Sequence, residues 1–163
     1  MNIECFALVI DNDCKILILG SFPSVKSREI GFYYGNKQNR FWKILAEYFD
    51  EMIEDDIDYK KEFLLKHNIA IWDIVKSSSL KGSSDSELKN NILEINDLNL
   101  LLKKYPNIVA VFCNGKASLD IAQKYFPNID FDYLPSTSPA NVSFSKQVWF
   151  EKLGQHLDIK NEN

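Results

Sequence analysis

The sequence predicts a three-layer α/β/α fold with a mainly parallel central sheet. Short runs of consecutive apolar residues recur along the chain, as in strands that are covered on both faces. Segments with apolar residues at helical spacing lie between these runs. Alternation of strands and helices is typical of a parallel sheet with helices on both faces. With 163 residues and no internal repeat, we expect a single domain over residues 1–163.

The first two apolar runs are predicted to form a β-hairpin. They lie in residues 5–20, CFALVIDNDCKILILG, and Asp11-Asn12-Asp13 between them is a turn signal. The second run ends at Gly20, and a segment rich in Ser, Gly, Asn and aromatic residues follows at 21–38. Six aromatic residues between Phe22 and Trp42 argue against disorder. We therefore expect an ordered loop there, although ordering costs about 1–2 kcal/mol per backbone residue.

The remaining elements continue the alternation. A helix is predicted in NRFWKILAEYF (39–49), and Asn68 suits the end of a short helix in KKEFLLKHN. After a Ser/Gly-rich loop at 75–88, Ser84 and Glu87 have the spacing of a capping box. We expect the helix that begins there to continue its pattern through 92–105. The other predicted strands are 69–75, 108–115 and one in 130–134, and the other predicted helices are 116–126 and 145–157.

The composition narrows the class of protein. No run of eighteen apolar residues occurs, and the N-terminus lacks the basic start of a signal peptide, so we expect a cytoplasmic protein with no membrane contact. The three cysteines, Cys5, Cys14 and Cys113, are far apart and form no C-x-x-C pair. We therefore expect no disulfide framework, no zinc or iron–sulfur site and no other metal.

The charge distribution is uneven. A net charge of −4 argues against a nucleic-acid partner. However, residues 47–58 hold seven acidic side chains and no Lys or Arg, and the rest of the chain carries about +3. One face could thus accept a polyanion, provided that the acidic stretch 47–58 lies away from it.

Ligands of such sheets bind beyond the carboxyl ends of the strands. The segments expected there supply small hydroxyls, amides, aromatic rings and one carboxylate, that of Asp73. These groups suit a flat heterocycle that is stacked and read along its edge, and a bond cleavage that relies on a positioned water. The histidines, His67 and His156, are expected on the surface, away from this edge.

Several motifs together resemble those of the uracil-DNA glycosylase superfamily. They are GSFPSVKS, YYGNKQNRFWKIL, IWDIV, GSSDSEL, FCNGKA and LPSTSPAN, in the family's order and over most of the chain. The similarity is greatest to the branch of hypoxanthine-DNA glycosylases. It implies a monofunctional enzyme without cofactor, acting as a monomer on DNA that contains a deaminated base, hypoxanthine first and uracil second.

The resemblance also implies roles for individual residues. In GSFPS the position that elsewhere carries a water-positioning Asp or Asn is Phe22, which cannot orient water. The hypoxanthine branch uses an Asn in the N-x-F-W element instead, so Asn39 is the predicted catalytic residue. A cap on the following helix is the alternative role, and both can hold together.

The predicted base-binding residues are Ser21, Phe22, Tyr34 and Asp73. Tyr34 has the spacing from Pro23 of the ring that stacks on the flipped base, with Tyr33 as its alternative and packing onto the core as the competing explanation. Asp73 corresponds to the residue that reads the base edge, and its carboxylate suits N1–H of hypoxanthine or N3–H of uracil. A turn cap is equally credible for Asp73.

LPSTSPAN matches the loop that presses into the minor groove beside the flipped nucleotide. Its two prolines stiffen it, which lowers the cost of ordering it on DNA. An ordinary ST-turn is the alternative. The predicted DNA-binding residues are Ser24, Ser136, Ser138, Pro139 and Asn141.

Two other classes of function stay open. Phe22, the scarcity of titratable groups and the negative net charge fit a catalytically silent α/β module that binds nucleic acid or nucleotides. The second is a ribohydrolase of free nucleosides, but a stiff insertion loop has no use on a nucleoside.

Overall fold

The computed structural model describes residues 2–79 and 84–157. Its strands are β1 (Ile3–Glu4), β2 (Ile16–Gly20), β3 (Ile69–Asp73), β4 (Val75–Ser78), β5 (Ile92–Ile95), β6 (Ala110–Asn114) and β7 (Phe131–Leu134). Its helices are α1 (Val25–Ile30), α2 (Phe41–Phe49), α3 (Ile57–Lys66), α4 (Asp85–Asn90), α5 (Leu98–Lys104), α6 (Lys116–Tyr125) and α7 (Lys146–Gly154). None of the helices within the described ranges is both long and apolar enough to cross a bilayer.

Four strands form a parallel sheet in the order β3-β2-β6-β7. The chain leaves β2 toward β3 on one side and later returns to β6 on the other, so the strand order switches direction at β2. The carboxyl ends of β2 and β3 are level, because Gly20 pairs with Asp73. This is the edge at which α/β proteins bind their ligands.

Both faces of the parallel sheet are covered by helices. In β2, Ile16 and Ile18 belong to the core on one face, with residues of α2, α3 and α7. Leu17 and Leu19 belong to the core on the other face, with residues of α4, α5 and α6. All four side chains are fully buried, which explains why β2 is apolar at successive positions. The predicted three-layer α/β/α fold is confirmed.

The predicted N-terminal hairpin is wrong. β1 pairs antiparallel with β4, and residue Val9 makes only an isolated bridge to Ile71. Both edges of β2 are occupied by parallel partners, β3 and β6, so no edge remains for an antiparallel neighbour. The turn signal Asp11-Asn12-Asp13 does form a turn, which Asp11 Oδ1 closes by accepting from Asp13 N at 3.0 Å.

Three further predictions about elements need correction. The run 69–75 splits after Asp73, and β4 joins a second sheet of order β1-β4-β5, where 75–78 had been expected as loop. The rest of that loop includes residues 80–83, which lie outside the described residues. Residues 92–95 form β5 rather than helix, since β4 offers them a free edge. The segment 21–38 is ordered but contains the short helix α1, which Ser24 caps by accepting from Ser27 N.

Candidate active site

A cleft of about 720 Å³ opens at the carboxyl edge of the parallel sheet. All ten residues that the sequence predicts for catalysis, base binding or DNA binding line it. They are Asn39, Ser21, Phe22, Tyr34, Asp73, Ser24, Ser136, Ser138, Pro139 and Asn141. Residues far apart in the chain thus meet because four parallel strands end at one edge.

Asn39 caps helix α2 and also lines the cleft. Its Oδ1 accepts a hydrogen bond from Phe41 N at 2.9 Å. Only the amide oxygen can accept, so the orientation of the side chain is chemically determined. The oxygen keeps a second lone pair, and within the described part of the chain Nδ2 has no hydrogen-bond partner. The capping role is therefore real, and it leaves Asn39 able to bind a water or a base.

Asp73 is a buried carboxyl group at the end of β3. The residue is 4% exposed, and Oδ2 has no hydrogen-bond partner among the described residues. Burial raises the pKa of Asp73 to about 7, because a charge is costly away from water. The neutral and ionised forms are therefore both accessible near neutral pH. No turn-cap hydrogen bond of this side chain occurs in the described structure.

Gly20 makes room for this arrangement on the neighbouring strand. A Cβ atom at Gly20 would lie 2.5 Å from Asp73 Oδ1 and 3.1 Å from Tyr34 Oη. Real Cβ atoms do not approach other atoms at 2.5 Å, so a side chain here would displace the carboxyl group. The strand end must be glycine for Asp73 and Tyr34 to meet over it.

Tyr34 is held in an uncommon conformation. Its φ of 53° lies in the left-handed region, which bulky residues rarely adopt. One face of its ring stacks on Phe41, with centroids 4.0 Å apart and planes at 18°. Its hydroxyl is buried and makes no hydrogen bond to a described residue, although the side chain of Asn114 lies near enough to lower its pKa; burial, followed by the negative charge of Asp73, outweighs this and raises the pKa of Tyr34. Strained, unpartnered side chains cluster at functional sites.

Tyr33 belongs to the scaffold of the cleft. It is 3% exposed, and its hydroxyl donates to the carbonyls of Phe6 and Ala7, each at 3.0 Å. Trp42 Nε1 donates to the Tyr33 carbonyl at 3.1 Å. These bonds tie the start of α2 to the N-terminal segment and hold Tyr34 in place.

The loop 135–141 is anchored by Asn114 and Gly115, which lie in the motif FCNGKA but were not among the predicted site residues. Asn114, at the end of β6, donates to Thr137 Oγ1 at 3.0 Å and accepts from Thr137 N at 3.1 Å. Gly115 has a φ of 98°, and a Cβ there would lie 3.0 Å from Ser136 Cβ. The loop therefore packs directly on the turn after β6.

Within the loop, polar side chains bond to its own backbone. Ser136 Oγ accepts from Ser138 N at 3.1 Å, and Ser138 Oγ accepts from Ala140 N at 3.2 Å. In both bonds the hydroxyl only accepts, so each serine keeps its proton for another partner. Asn141 donates from Nδ2 to the Ser136 carbonyl at 2.9 Å and accepts from Ser143 N, so its amide supports the loop from inside.

Arg40 joins this loop to the helix that Asn39 caps. Its guanidinium donates to the carbonyls of Ser138 at 3.0 Å and Asn141 at 3.1 Å. Its backbone N–H donates to the Thr137 carbonyl at 3.0 Å. No sequence signal marks this residue, because its acceptors lie about a hundred residues further along the chain.

Comparison with known proteins identifies the family. The family model described as the uracil DNA glycosylase superfamily matches residues 8–158. This chain belongs to the uracil DNA glycosylase superfamily.

Two relatives with curated names indicate which branch of the superfamily this chain resembles. A protein of Methanosarcina acetivorans named hypoxanthine DNA glycosylase is 38% identical over 147 residues, which cover 86% of this chain and 89% of the relative. A protein of Methanosarcina barkeri with the same name is 36% identical over 120 residues, covering 72% and 74% of the two chains. Both the superfamily and the branch that the motifs predicted are confirmed.

A solved structure supports the fold. It is the solution NMR structure of a Methanosarcina acetivorans protein proposed to be a uracil DNA glycosylase. It superposes with a TM-score of 0.77 at 32% identity and covers 94% of this chain and 96% of its own. The two proteins therefore share one fold over almost their whole length.

Glu51, in the acidic stretch 47–58, lies at the edge of the sheet opposite the cleft, whereas Glu47 pairs with Lys146 at the start of α7. Glu51 Oε2 lies 2.6 Å from Nε2 of His67, which is two residues before the first residue of β3. The predicted surface position of His67 is wrong: the residue is 8% exposed and its ring stacks on Phe49 at 3.7 Å. An aromatic partner and a carboxylate both come from the end of α2, which the local sequence around His67 does not show. His156 is half-buried beside Phe112.

Proposed function

We propose that this chain is a monofunctional DNA glycosylase that hydrolyses the N-glycosidic bond of a deaminated base flipped out of DNA. Hypoxanthine is the first substrate and uracil the second. The observation that carries the proposal is the meeting of Asn39, Asp73 and the loop 135–141 in one cleft of a chain from this superfamily. The proposal includes a cytoplasmic, monomeric enzyme formed by one domain.

In the reaction, a water oxygen bonds to C1′ of the sugar as the bond from C1′ to the base breaks. The bonding electrons leave with the base, which takes up a proton, and the second product is an abasic site. Asn39 is the catalytic residue in this proposal. Its Oδ1 is fixed by Phe41 N–H and retains a lone pair, so it can hold a water in a constant position.

The base edge is read at the floor of the cleft by Asp73. Its unpartnered carboxyl oxygen accepts from N1–H of hypoxanthine or N3–H of uracil. Adenine has no hydrogen on N1, so its N1 lone pair would be repelled by the ionised carboxylate. Tyr34 and Phe22 supply aromatic surface, and Ser21 also lines the cleft.

DNA is bound at the mouth of the cleft. Ser136 and Ser138 keep hydroxyl protons that can be donated to phosphates, and Pro139 stiffens the loop between them and Asn141. Directly after Asn141, Val142 is 96% exposed. Ser24 uses its hydroxyl to cap α1, donating to Ser27 Oγ at 3.1 Å, so its contact with DNA involves its accepting lone pairs or its backbone.

The test is cleavage of labelled duplexes that carry one deoxyinosine or one deoxyuridine, with alkali to cut abasic sites. Asn39→Ala should lower the single-turnover rate by at least about 100-fold, the size of effect seen when a preorganised catalytic group is removed. Asn39→Asp is the matched control, because a carboxylate still accepts from Phe41 N–H and preserves the helix cap.

The outcomes separate the hypotheses. Cleavage by the wild type that fails in Asn39→Ala supports the proposal, and activity in Asn39→Asp would assign the work to Oδ1 rather than Nδ2. Wild-type levels of cleavage by a folded Asn39→Ala would move the catalytic role to Asp73. No cleavage of either duplex by the wild type would favour a silent binding module.

A further inference from the structure

Arg40 links two parts of the cleft, the start of α2 and the loop 135–141. It follows Asn39 in sequence, and its guanidinium reaches the loop 135–141 through two carbonyls, those of Ser138 and Asn141. The backbone N–H of Arg40 adds a third bond, to Thr137. The three acceptors flank Pro139, with Thr137 and Ser138 before it and Asn141 after it.

Within the described structure, the positive charge of Arg40 is compensated by the dipoles of backbone carbonyl groups and not by a carboxylate. No carboxylate of the described residues lies within ion-pair distance, and the guanidinium carbon lies 5.0 Å from the centre of the Phe144 ring. A planar guanidinium can donate to two carbonyls in fixed directions, which an ammonium on a flexible stem cannot reproduce. This geometry is suited to fixing a loop.

The loop has few other ties to the protein. Its serines and Asn141 bond to its own backbone. The paired bonds between Asn114 and Thr137 hold the beginning of the loop to β6, and Trp149 Nε1 of α7 donates to the Pro135 carbonyl at 2.8 Å. The described bonds that hold Ser138 and Asn141 to another element come from Arg40.

We propose that Arg40 is a positioning residue that fixes the loop 135–141 relative to Asn39, so that pressing the loop into DNA delivers the flipped nucleotide to the catalytic amide. This inference rests on the proposed glycosylase function. Flipping a base out of a paired duplex costs a few kcal/mol. A loop that moves independently of Asn39 would offset less of that cost at the moment of catalysis.

The inference predicts a dependence on the substrate. Losing Arg40 should matter most when the target base is firmly paired, and least when nothing pairs with it. We therefore compare duplexes with deoxyinosine opposite cytosine and deoxyinosine opposite an abasic site, by single-turnover rates at saturating enzyme. Saturation separates the rate of the bound complex from the affinity for DNA.

Arg40→Ala should lower the rate about 10- to 100-fold on the paired substrate and about 3-fold or less on the unpaired one. Arg40→Lys keeps the charge but should stay within about 3-fold of Arg40→Ala. Lys43→Ala, a control that removes one positive charge from an exposed position of the same helix, should leave the ratio between the two substrates unchanged. If Arg40→Ala does not fold, Arg40→Lys decides by the same ratio.

Equal losses of rate on both duplexes would overturn the inference, because a purely structural arginine slows every substrate alike. Full activity of Arg40→Lys would also overturn it and assign the residue to attraction of phosphates. A wild-type enzyme that cleaves neither duplex would instead refute the glycosylase function itself. The two failures are therefore distinguishable.

Discussion

The two edges of the parallel sheet differ in whether certain buried polar groups have partners. At the amino edge, buried His67 is paired with Glu51 at 2.6 Å and stacked on Phe49. At the carboxyl edge, Asp73 Oδ2 and Tyr34 Oη are equally shielded from water but have no hydrogen-bond partner. A buried polar group without a partner costs about 1–3 kcal/mol. Both of these unsatisfied groups lie in the cleft, where the proposed function places the base.

The largest expected effect concerns Asp73 and pH. The pKa of Asp73 is raised to about 7 in the folded protein, whereas an unfolded aspartate titrates near pH 3.9. Between these values the folded state binds the extra proton, so its contribution to stability is full below about pH 4 and is lost as the pH rises to about 7. Asp73→Asn cannot ionise and should remove this loss.

Urea titrations at pH 5 and pH 8 measure the effect. The free energy of unfolding of the wild type should fall by about 2–3 kcal/mol more than that of Asp73→Asn over this range. Asp73→Asn should therefore be the more stable protein at pH 8. If both proteins change in parallel, Asp73 does not titrate near pH 7 in the folded protein and the contrast between the two edges is lost.

Much of this carboxyl edge could be predicted from the sequence. β2, β3 and β6 end at small or polar residues, and α/β topology brings strand ends together, which is why ten residues at or after the ends of β2, β3 and β7 share one cleft. What could not be predicted depends on long-range pairing. β1 pairs with β4 instead of β2, and β5 replaces a helix, because the available edge was set by strands distant in the chain.

A smaller effect is expected at the amino edge. Glu51 also receives Lys66 Nζ at 2.5 Å, and although burial opposes this, the bonds from Lys66 and His67 lower the pKa of Glu51. Glu51→Gln should lower the free energy of unfolding by about 1–2 kcal/mol at neutral pH and leave glycosylase activity unchanged.

The sign of its pH dependence is opposite to that of Asp73. Because the pKa of Glu51 is lowered on folding, its contribution is present above the ordinary range of a glutamate, near pH 4, and is lost as the pH falls through its lower folded value. Denaturation curves of the two proteins should therefore converge in acid. A loss of activity in Glu51→Gln would show that the two edges are coupled.

The histidine and the arginine show why local sequence was insufficient. His67 carried no sign of burial, since its stacking partner Phe49 belongs to another helix. Arg40 sits inside a recognised motif, yet its acceptors are residues of a loop that only folding brings near. The types of residue at the site were predictable, and the contacts that position them were not.

The smallest effect on stability is expected from Tyr34, and it tests the contrast most directly. Tyr34→Phe removes a buried hydroxyl that has no hydrogen-bond partner. The free energy of unfolding should therefore either rise or fall by less than about 0.5 kcal/mol. Tyr33→Phe is the matched control, because that hydroxyl donates to two carbonyls and its removal should cost about 1 kcal/mol. Urea midpoints of both variants measure the difference.

A larger loss for Tyr34→Phe than for Tyr33→Phe would mean that the Tyr34 hydroxyl is a structural group. The reverse order, with slower excision of hypoxanthine by Tyr34→Phe, would show that the cleft keeps this donor unpaired for its substrate.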